Sequence, residues 1–421
     1  MSARLHTLTN GVRVVCDPMP GLRTFALTVA VRGGARWEAE DRSGWSHLLE
    51  HLVFKGAGDM GARDIVERIE AKGGSINAST GYERTSFEVR ALDGSLPLAM
   101  QVLSDLVFRP TLDPAEIERE KDVVAQEIAE AFDAPDDHVF EMAQSRAYRG
   151  QPLGRPILGS IASLKPADRA SVADWRRRLY APNRMVVAAS GAVDEAELLT
   201  LAERWFGGEA PTGADEPAAP DFIGGASTLS RRIEQANLVF QLPAPAVTSP
   251  DFAAARLMTE ILGGGMASRL FQSAREDRGL AYAIDAYHEP YETTGILGIY
   301  AGAAADRAVE LAGVCAAELK ALANEGPTEA ELSRARAVLT AGLWMSDESP
   351  ASRAGRAASQ TLVFGAPIPS EESVTRLAAQ TGADVRAAAM ACLEPGKAAT
   401  AVLGPKAAHP AGAAFTAALL G

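Results

Sequence analysis

Gly44-Trp45-Ser46-His47-Leu48-Leu49-Glu50-His51-Leu52-Val53-Phe54-Lys55-Gly56 places two imidazoles and a carboxylate within little more than one turn of an apolar helix. Positions four apart share a helical face, so the rings of His47 and His51 can converge on one ion. Glu50 sits beside His51 and three positions from His47, where it can reach a water at that ion without ligating it, as a general base must. A chain with 6 histidines and 54 acidic residues in 421 positions should contain such a pentapeptide by chance on the order of 0.01 times. The spacing therefore points to a catalytic metal rather than a surface histidine pair. Catalytic zinc takes three protein ligands and keeps a fourth position open, so two histidines leave the set one short.

Glu127, 76 positions after His51, is the candidate third ligand. Asp113 before Pro114 reads as an N-cap followed by proline at the first helical position, with acids clustered in the first turn. The helix that starts there carries Glu120 and Glu127 two turns apart on one face, with Val123, Val124 and Ile128 nearby. A carboxylate on a buried face needs a partner, and a metal is one. Glu120 is the candidate for holding a ligand in place from behind, whereas Glu116, Glu118 and Glu130 read as solvated charges. Two histidines, one glutamate and an open position suit one Zn2+ per chain, although manganese or cobalt can occupy such a site in vitro.

Beyond this stretch the chain repeats itself weakly. Pro114-Ala115-Glu116 opens one helix, and 213 residues later Pro327-Thr328-Glu329 opens a similar one through Arg336, Val338 and Leu343. The apolar helix before Gly73 pairs with one before Gly279, each followed by a strand and then by Glu83-Arg84-Thr85 or Glu292-Thr293-Thr294. Two homologous halves are expected. Thr340 and Ser333 stand where Glu127 and Glu120 would recur, and the region of 253–262 has no histidine, so only the first half can hold this metal. The Gly-, Pro- and acid-rich run of 207–220 reads as a linker. The expected division is a zinc-binding domain over 1–207, a linker over 208–222 and a second domain over 223–421. Strand-like runs at 24–31 and 86–92 alternate with helical patterns at 96–107 and 307–322, giving an α+β class with helices packed on largely antiparallel sheets.

The order H-x-x-E-H is that of the inverzincins, and residues 44–56 resemble the active-site helix of the pitrilysin, insulin-degrading enzyme and mitochondrial processing peptidase family. Gly73-Gly74-Ser75-Ile76-Asn77-Ala78 is similar to that family's substrate-binding edge strand, and Asn183-Arg184-Met185-Val186-Val187 before Gly191 to the close of its first domain. The resemblance implies a short, two-domain form equivalent to one half of a clamshell. It implies that Asn77 and Ala78 bind peptide, with Ser79 where an aromatic often follows. It also implies that Arg275 and Tyr282 bind substrate or the developing oxyanion, acting on the zinc site of another subunit. A homodimer, or a heterodimer with a zinc-free paralogue, would then complete the chamber around unstructured peptide substrates. The expected reaction is endopeptide hydrolysis. A partner-dependent processing peptidase shares that chemistry, and a non-catalytic assembly subunit shares only the fold. The complete set His47, Glu50, His51 and Glu127 argues against the last. Gly263-Gly264-Gly265 reads as a short turn, not the glycine-rich segment of some processing partners.

Composition fits an ordinary enzyme, with 47% hydrophobic and 23% charged residues and ample apolar material for a core. No apolar run approaches the roughly 18 residues of a membrane span, and the first residues lack a signal-peptide core, so a cytoplasmic protein is expected. A net charge of −13 disfavours nucleic acid and anionic membranes and would suit basic peptides. Cys16, Cys315 and Cys392 are widely spaced and odd in number, hence expected as reduced packing residues.

Overall fold

The computed structural model describes residues 3–213 and 216–421; Ala214 and Asp215 of the expected linker lie outside the described residues. In the first half the strands are β1 (Arg4–Thr7), β2 (Arg13–Pro18), β3 (Thr24–Val31), the short pair β4 (Gly56–Ala57) and β5 (Met60–Gly61), β6 (Ser75–Thr80), β7 (Thr85–Leu92) and β8 (Met185–Gly191). The helices that matter to the site are α1 (Trp45–Val53), α2 (Ala62–Glu70), α3 (Leu96–Phe108), α4 (Pro114–Asp133) and α5 (Pro135–Ala147). The second half contributes β9 (Gly225–Ser230), β10 (Gln235–Pro243), β11 (Ala281–Pro290), β12 (Gly295–Ala304) and β13 (Ala399–Gly404).

The repeat is one of topology. One sheet runs β1-β2-β8-β3-β7-β6 and the other β11-β12-β10-β13-β9, so β6, β7, β3, β8 and β2 match β11, β12, β10, β13 and β9 in order. Their directions match as well. The pairs β2/β8 and β9/β13 are parallel, and the remaining pairs in both sheets are antiparallel. Two α+β domains of largely antiparallel sheet and flanking helices result, as the hydrophobic periods predict.

The compact units interleave along the chain. One comprises Met1–Ile128, Pro156–Pro217 and Trp344–Glu372; the other comprises Ala129–Arg155, Ala218–Leu343 and Ser373–Gly421. Within the first, Phe25, Leu27, Val29 and Val31 of β3 join Leu48, Leu49 and Leu52 of α1 and Leu103 and Leu106 of α3 in the main core. The opposite face of that sheet, at Val15, Ala30, Val186 and Ala188, is covered by Ala357, Ala358 and Leu362 of the helix Pro350–Phe364. Small alanines on both surfaces let helix and sheet approach closely, and coverage of both faces explains why β3 and β8 are buried along nearly their whole length. The second unit uses α5 in the same way: Val139, Met142 and Ala143 cover Val239, Ala401 and Leu403. Cys16, Cys315 and Cys392 are buried and free. Among the described residues, no helix is long and apolar enough to cross a membrane.

Candidate metal centre

Helix α1 is held by its buried face and by its entry. Trp45, Leu48, Leu49, Leu52 and Val53 are buried, and the Trp45 indole Nε1 donates to the Ser163 carbonyl at 2.8 Å. Gly44 precedes the helix at φ +89°, and a Cβ there would lie 2.4 Å from the Leu158 carbonyl oxygen. Only glycine accommodates both. The amides of Gly44 and Ser46 donate to the Glu38 carboxylate, each at 2.7 Å. With the apolar face committed to the core, His47 and His51 project from the other side with side chains 15% and 19% exposed.

Helix α4 supplies the carboxylates. It begins where its cap predicts, at Pro114, and Asp113 Oδ1 accepts from the Ala115 amide at 2.7 Å. Ile117, Glu120 and Val124 form its buried stripe. Glu127 lies further along: its Oε2 is 3.8 Å from His47 Nε2 and its Oε1 is 3.6 Å from His51 Nε2. The two imidazole rings meet edge-on with centroids 4.6 Å apart. One donor atom from each of His47, His51 and Glu127 lies within 4.8 Å of the others, and no other such group of three occurs among the described residues.

These residues fit a metal ion on structural grounds. The separations exceed hydrogen-bond lengths, so the donors surround a common centre without being bonded to one another. Glu127 Oε2, the oxygen that faces His47 Nε2, is buried without a hydrogen-bond partner, a costly arrangement unless something else satisfies it. Burial, reinforced by the neighbouring His51, pulls the His47 imidazole down to a pKa of about 4, so it is neutral at pH 7 with a lone pair to offer. Two imidazoles and a carboxylate are the donor chemistry of catalytic zinc.

Glu50 and Glu120 occupy different surroundings. Burial raises the Glu50 carboxyl above its usual range, opposed by hydrogen bonds from Thr80, and its Oε2 is buried without a partner. Glu120, 2% exposed, receives His51 Nδ1 at 3.1 Å on Oε2 and the Lys55 ammonium at 2.8 Å on Oε1. It meets His51 at Nδ1, on the side of the ring away from Glu127.

Asn77 and Ala78 lie on β6, which among the described residues pairs with β7 alone and forms the edge of its sheet; Asn77 is exposed and Ala78 half-buried. Arg275 and Tyr282 belong to the second unit. Where the repeat predicts a counterpart of α2, the chain instead makes a π-helical turn over Phe271–Glu276. Arg275 is exposed on it, its guanidinium 4.9 Å from the centre of the Phe271 ring, and Tyr282 is 66% exposed. The helix Phe252–Gly263 stands in the place of α1 without a histidine, and Ser333 and Thr340 lie on the helix Glu329–Asp347. Sequence reasoning did not single out Glu38, Thr80 or Lys55. For Lys55 a signal was present, since it follows His51 by four positions.

An inverted H-x-x-E-H pair on a core-anchored helix, completed by a distant glutamate within a duplicated α+β architecture, defines a zinc metallopeptidase of the inverzincin class. Residues 13–161 match the family model described as insulinase (peptidase family M16), and residues 166–339 match the M16 inactive domain. An uncharacterized zinc protease of Bacillus subtilis is 35% identical over 86% of this chain and 88% of its own length. One from Mycobacterium tuberculosis is 34% identical over 96% and 94%. Among solved structures, a protease from Helicobacter pylori superposes with a TM-score of 0.88 at 20% identity, covering 96% of this chain and 99% of that one. A peptidase M16 inactive domain from Pseudomonas fluorescens gives 0.87 at 21%, covering 96% and 98%. The chain belongs to peptidase family M16, with that family's two-domain arrangement.

Proposed function

We propose that this protein is a zinc-dependent endopeptidase that hydrolyses unstructured peptides, with His47, His51 and Glu127 as the metal ligands. The observation that carries the reading is the convergence of these three donors beside Glu50, whose buried Oε2 has no partner. Zinc bound there supplies Lewis acidity, which lowers the pKa of a water and polarises a carbonyl. Glu50 would act as the general base and then the acid, accepting a proton from the attacking water and returning it to the leaving amine, and the rise in its carboxyl pKa with burial suits a group that must do both. Glu120 holds the His51 ring by accepting from Nδ1, which leaves Nε2 for the metal.

The peptide adds as a further strand along β6, past Asn77 and Ala78, where an unpaired backbone edge reads main chain and tolerates many sequences. Arg275 and Tyr282 donate to the carbonyl oxygen as negative charge develops on it, and we assign them to the zinc site of a second subunit. Along the sequence we assign a zinc-binding domain to 1–207, a linker to 208–222 and a substrate-contributing domain to 223–421, each compact unit also taking in a segment from the other's span, with a homodimer preferred to a zinc-free partner chain.

The test is digestion of a mixed, unstructured peptide library by the purified protein, with and without a zinc chelator, alongside zinc analysis and a sizing column. Chelator-sensitive cleavage at many sites by a dimer is the expected result. Stoichiometric zinc without cleavage points to a narrow processing substrate or a missing partner, and absence of zinc overturns the reading.

A further inference from the structure

Helix α1 ends at Val53, and the chain turns through Phe54 and Lys55 into β4. The Lys55 stem lines a cavity of about 670 Å3 together with Gly56, Thr111 and Pro114, and its head group reaches inward to Glu120 Oε1 at 2.8 Å. Glu120 itself is 2% exposed, and its other oxygen faces His51 Nδ1. A carboxylate so deeply buried needs opposite charge as well as hydrogen bonds. Among the described residues, Lys55 is the one lysine or arginine paired with Glu120.

We propose that Lys55 is a positioning residue for the metal centre: its ammonium anchors Glu120, and Glu120 in turn fixes the ring of His51. The order is cavity wall, Lys55, Glu120, His51, metal. The two links within the protein, Lys55 to Glu120 at 2.8 Å and Glu120 to His51 at 3.1 Å, are charge-assisted contacts of hydrogen-bond length, and neither requires Lys55 to touch substrate. Because Glu120 is shared between a cation and an imidazole, removing the cation frees the carboxylate to rotate and leaves its charge uncompensated. His51 then loses the acceptor that sets its ring orientation and its strength as a ligand. A lysine serving only to pack against the cavity wall would be replaced by methionine with no effect at His51.

The proposal rests on the metal reading above, and its test separates the two. Wild type, Lys55→Met, Lys55→Arg, Glu120→Gln and Lys55→Met/Glu120→Gln are compared for zinc affinity by competition with a chromophoric chelator, and for the visible absorption of the cobalt(II) form. Lys55→Met is expected to weaken zinc binding about tenfold or more and to shift the cobalt bands, and Lys55→Arg to restore both. In the Glu120→Gln background the same lysine substitution adds little further loss, because its effect passes through Glu120. Unchanged affinity and an unchanged cobalt spectrum in Lys55→Met overturn the positioning role while leaving the metal site standing. Additive losses in the double variant overturn the route through Glu120. A wild type that holds no stoichiometric zinc overturns both.

Discussion

Glu38 and Ser46 are joined across the entry to α1: the Ser46 amide donates to Glu38 Oε1 at 2.7 Å, and the other oxygen takes the Gly44 amide at the same distance. A carboxylate six to eight residues upstream thus performs the work of an N-cap at the positive end of the helix that carries both histidines. Glu38 is 2% exposed, so its loss strands buried amides. Glu38→Ala is expected to destabilise the protein by about 1–3 kcal/mol, measured by chemical denaturation, and to loosen zinc binding with it. An unchanged denaturation midpoint would show that α1 is held by its apolar face alone.

Gly44 is constrained more severely than Glu38. Its φ of +89° and the Leu158 carbonyl 2.4 Å from any Cβ compound conformational strain with a backbone clash that no side-chain rotation relieves. Gly44→Ala should cost about 2–4 kcal/mol, seen as a lowered Tm. A variant as stable as wild type would mean that the loop at Leu158 yields.

Glu50→Gln keeps the size of the side chain and removes its ability to accept a proton. Turnover should fall by at least about a hundredfold, while zinc per chain, measured by elemental analysis, stays at the wild-type value. Peptide cleavage at the normal rate would remove Glu50 from the mechanism.

Arg269 and Glu331 make an acid-sensitive contact in the second unit. The guanidinium donates through Nε and Nη2 to the two carboxylate oxygens at 2.7 and 2.9 Å. Hydrogen bonding from Arg269 chiefly draws the Glu331 carboxyl down to a pKa of about 2 from the ordinary 4.5. A depressed folded-state pKa gives stability that is fully present above 4.5 and is lost as pH falls through 2. Arg269→Met should therefore be less stable than wild type at neutral pH, with the gap narrowing as pH falls from about 5 to 2. Urea titrations across that range test the sign, since a gap that widens in acid would contradict it.

The metal centre was legible because its chemistry is local in sequence: four helical positions fix the facing of His47 and His51, and the Asp113-Pro114 cap fixes where α4 begins. The sheets were legible through β3, an almost continuous apolar run, and β7, whose polar and apolar residues alternate. Glu38 was not, because an acid upstream of a helix looks like any surface acid until the chain folds back to present it. Nor was the exchange by which the helix 350–364 covers the first sheet and α5 the second. An alanine-rich stripe such as Ala354, Ala357 and Ala358 states that a close partner exists but not which sheet it is. The π-helical turn at Phe271–Glu276 escaped for a similar reason: the repeat predicts a helix before Gly279 but carries no information on its hydrogen-bond pitch.

If Arg275 and Tyr282 serve the zinc site of another subunit, two inactive variants should rescue each other. Glu50→Gln has no base but an intact Tyr282, and Tyr282→Phe has the reverse. In a homodimer formed after mixing, one of the two sites pairs a functional Glu50 from one chain with a functional Tyr282 from the other. Equal mixing makes half of the dimers mixed, each with one working site, so activity should recover to about a quarter of wild type. Residues acting within one chain give no recovery, because neither chain holds a complete set. Unfolding and refolding the variants together, with separately refolded and then mixed samples as the reference, ensures that subunits exchange before peptide cleavage is measured. Failure to recover in a sample shown by mass to contain mixed dimers would place Tyr282 on its own chain's site, and a Tyr282→Phe protein as active as wild type before mixing would remove it from catalysis.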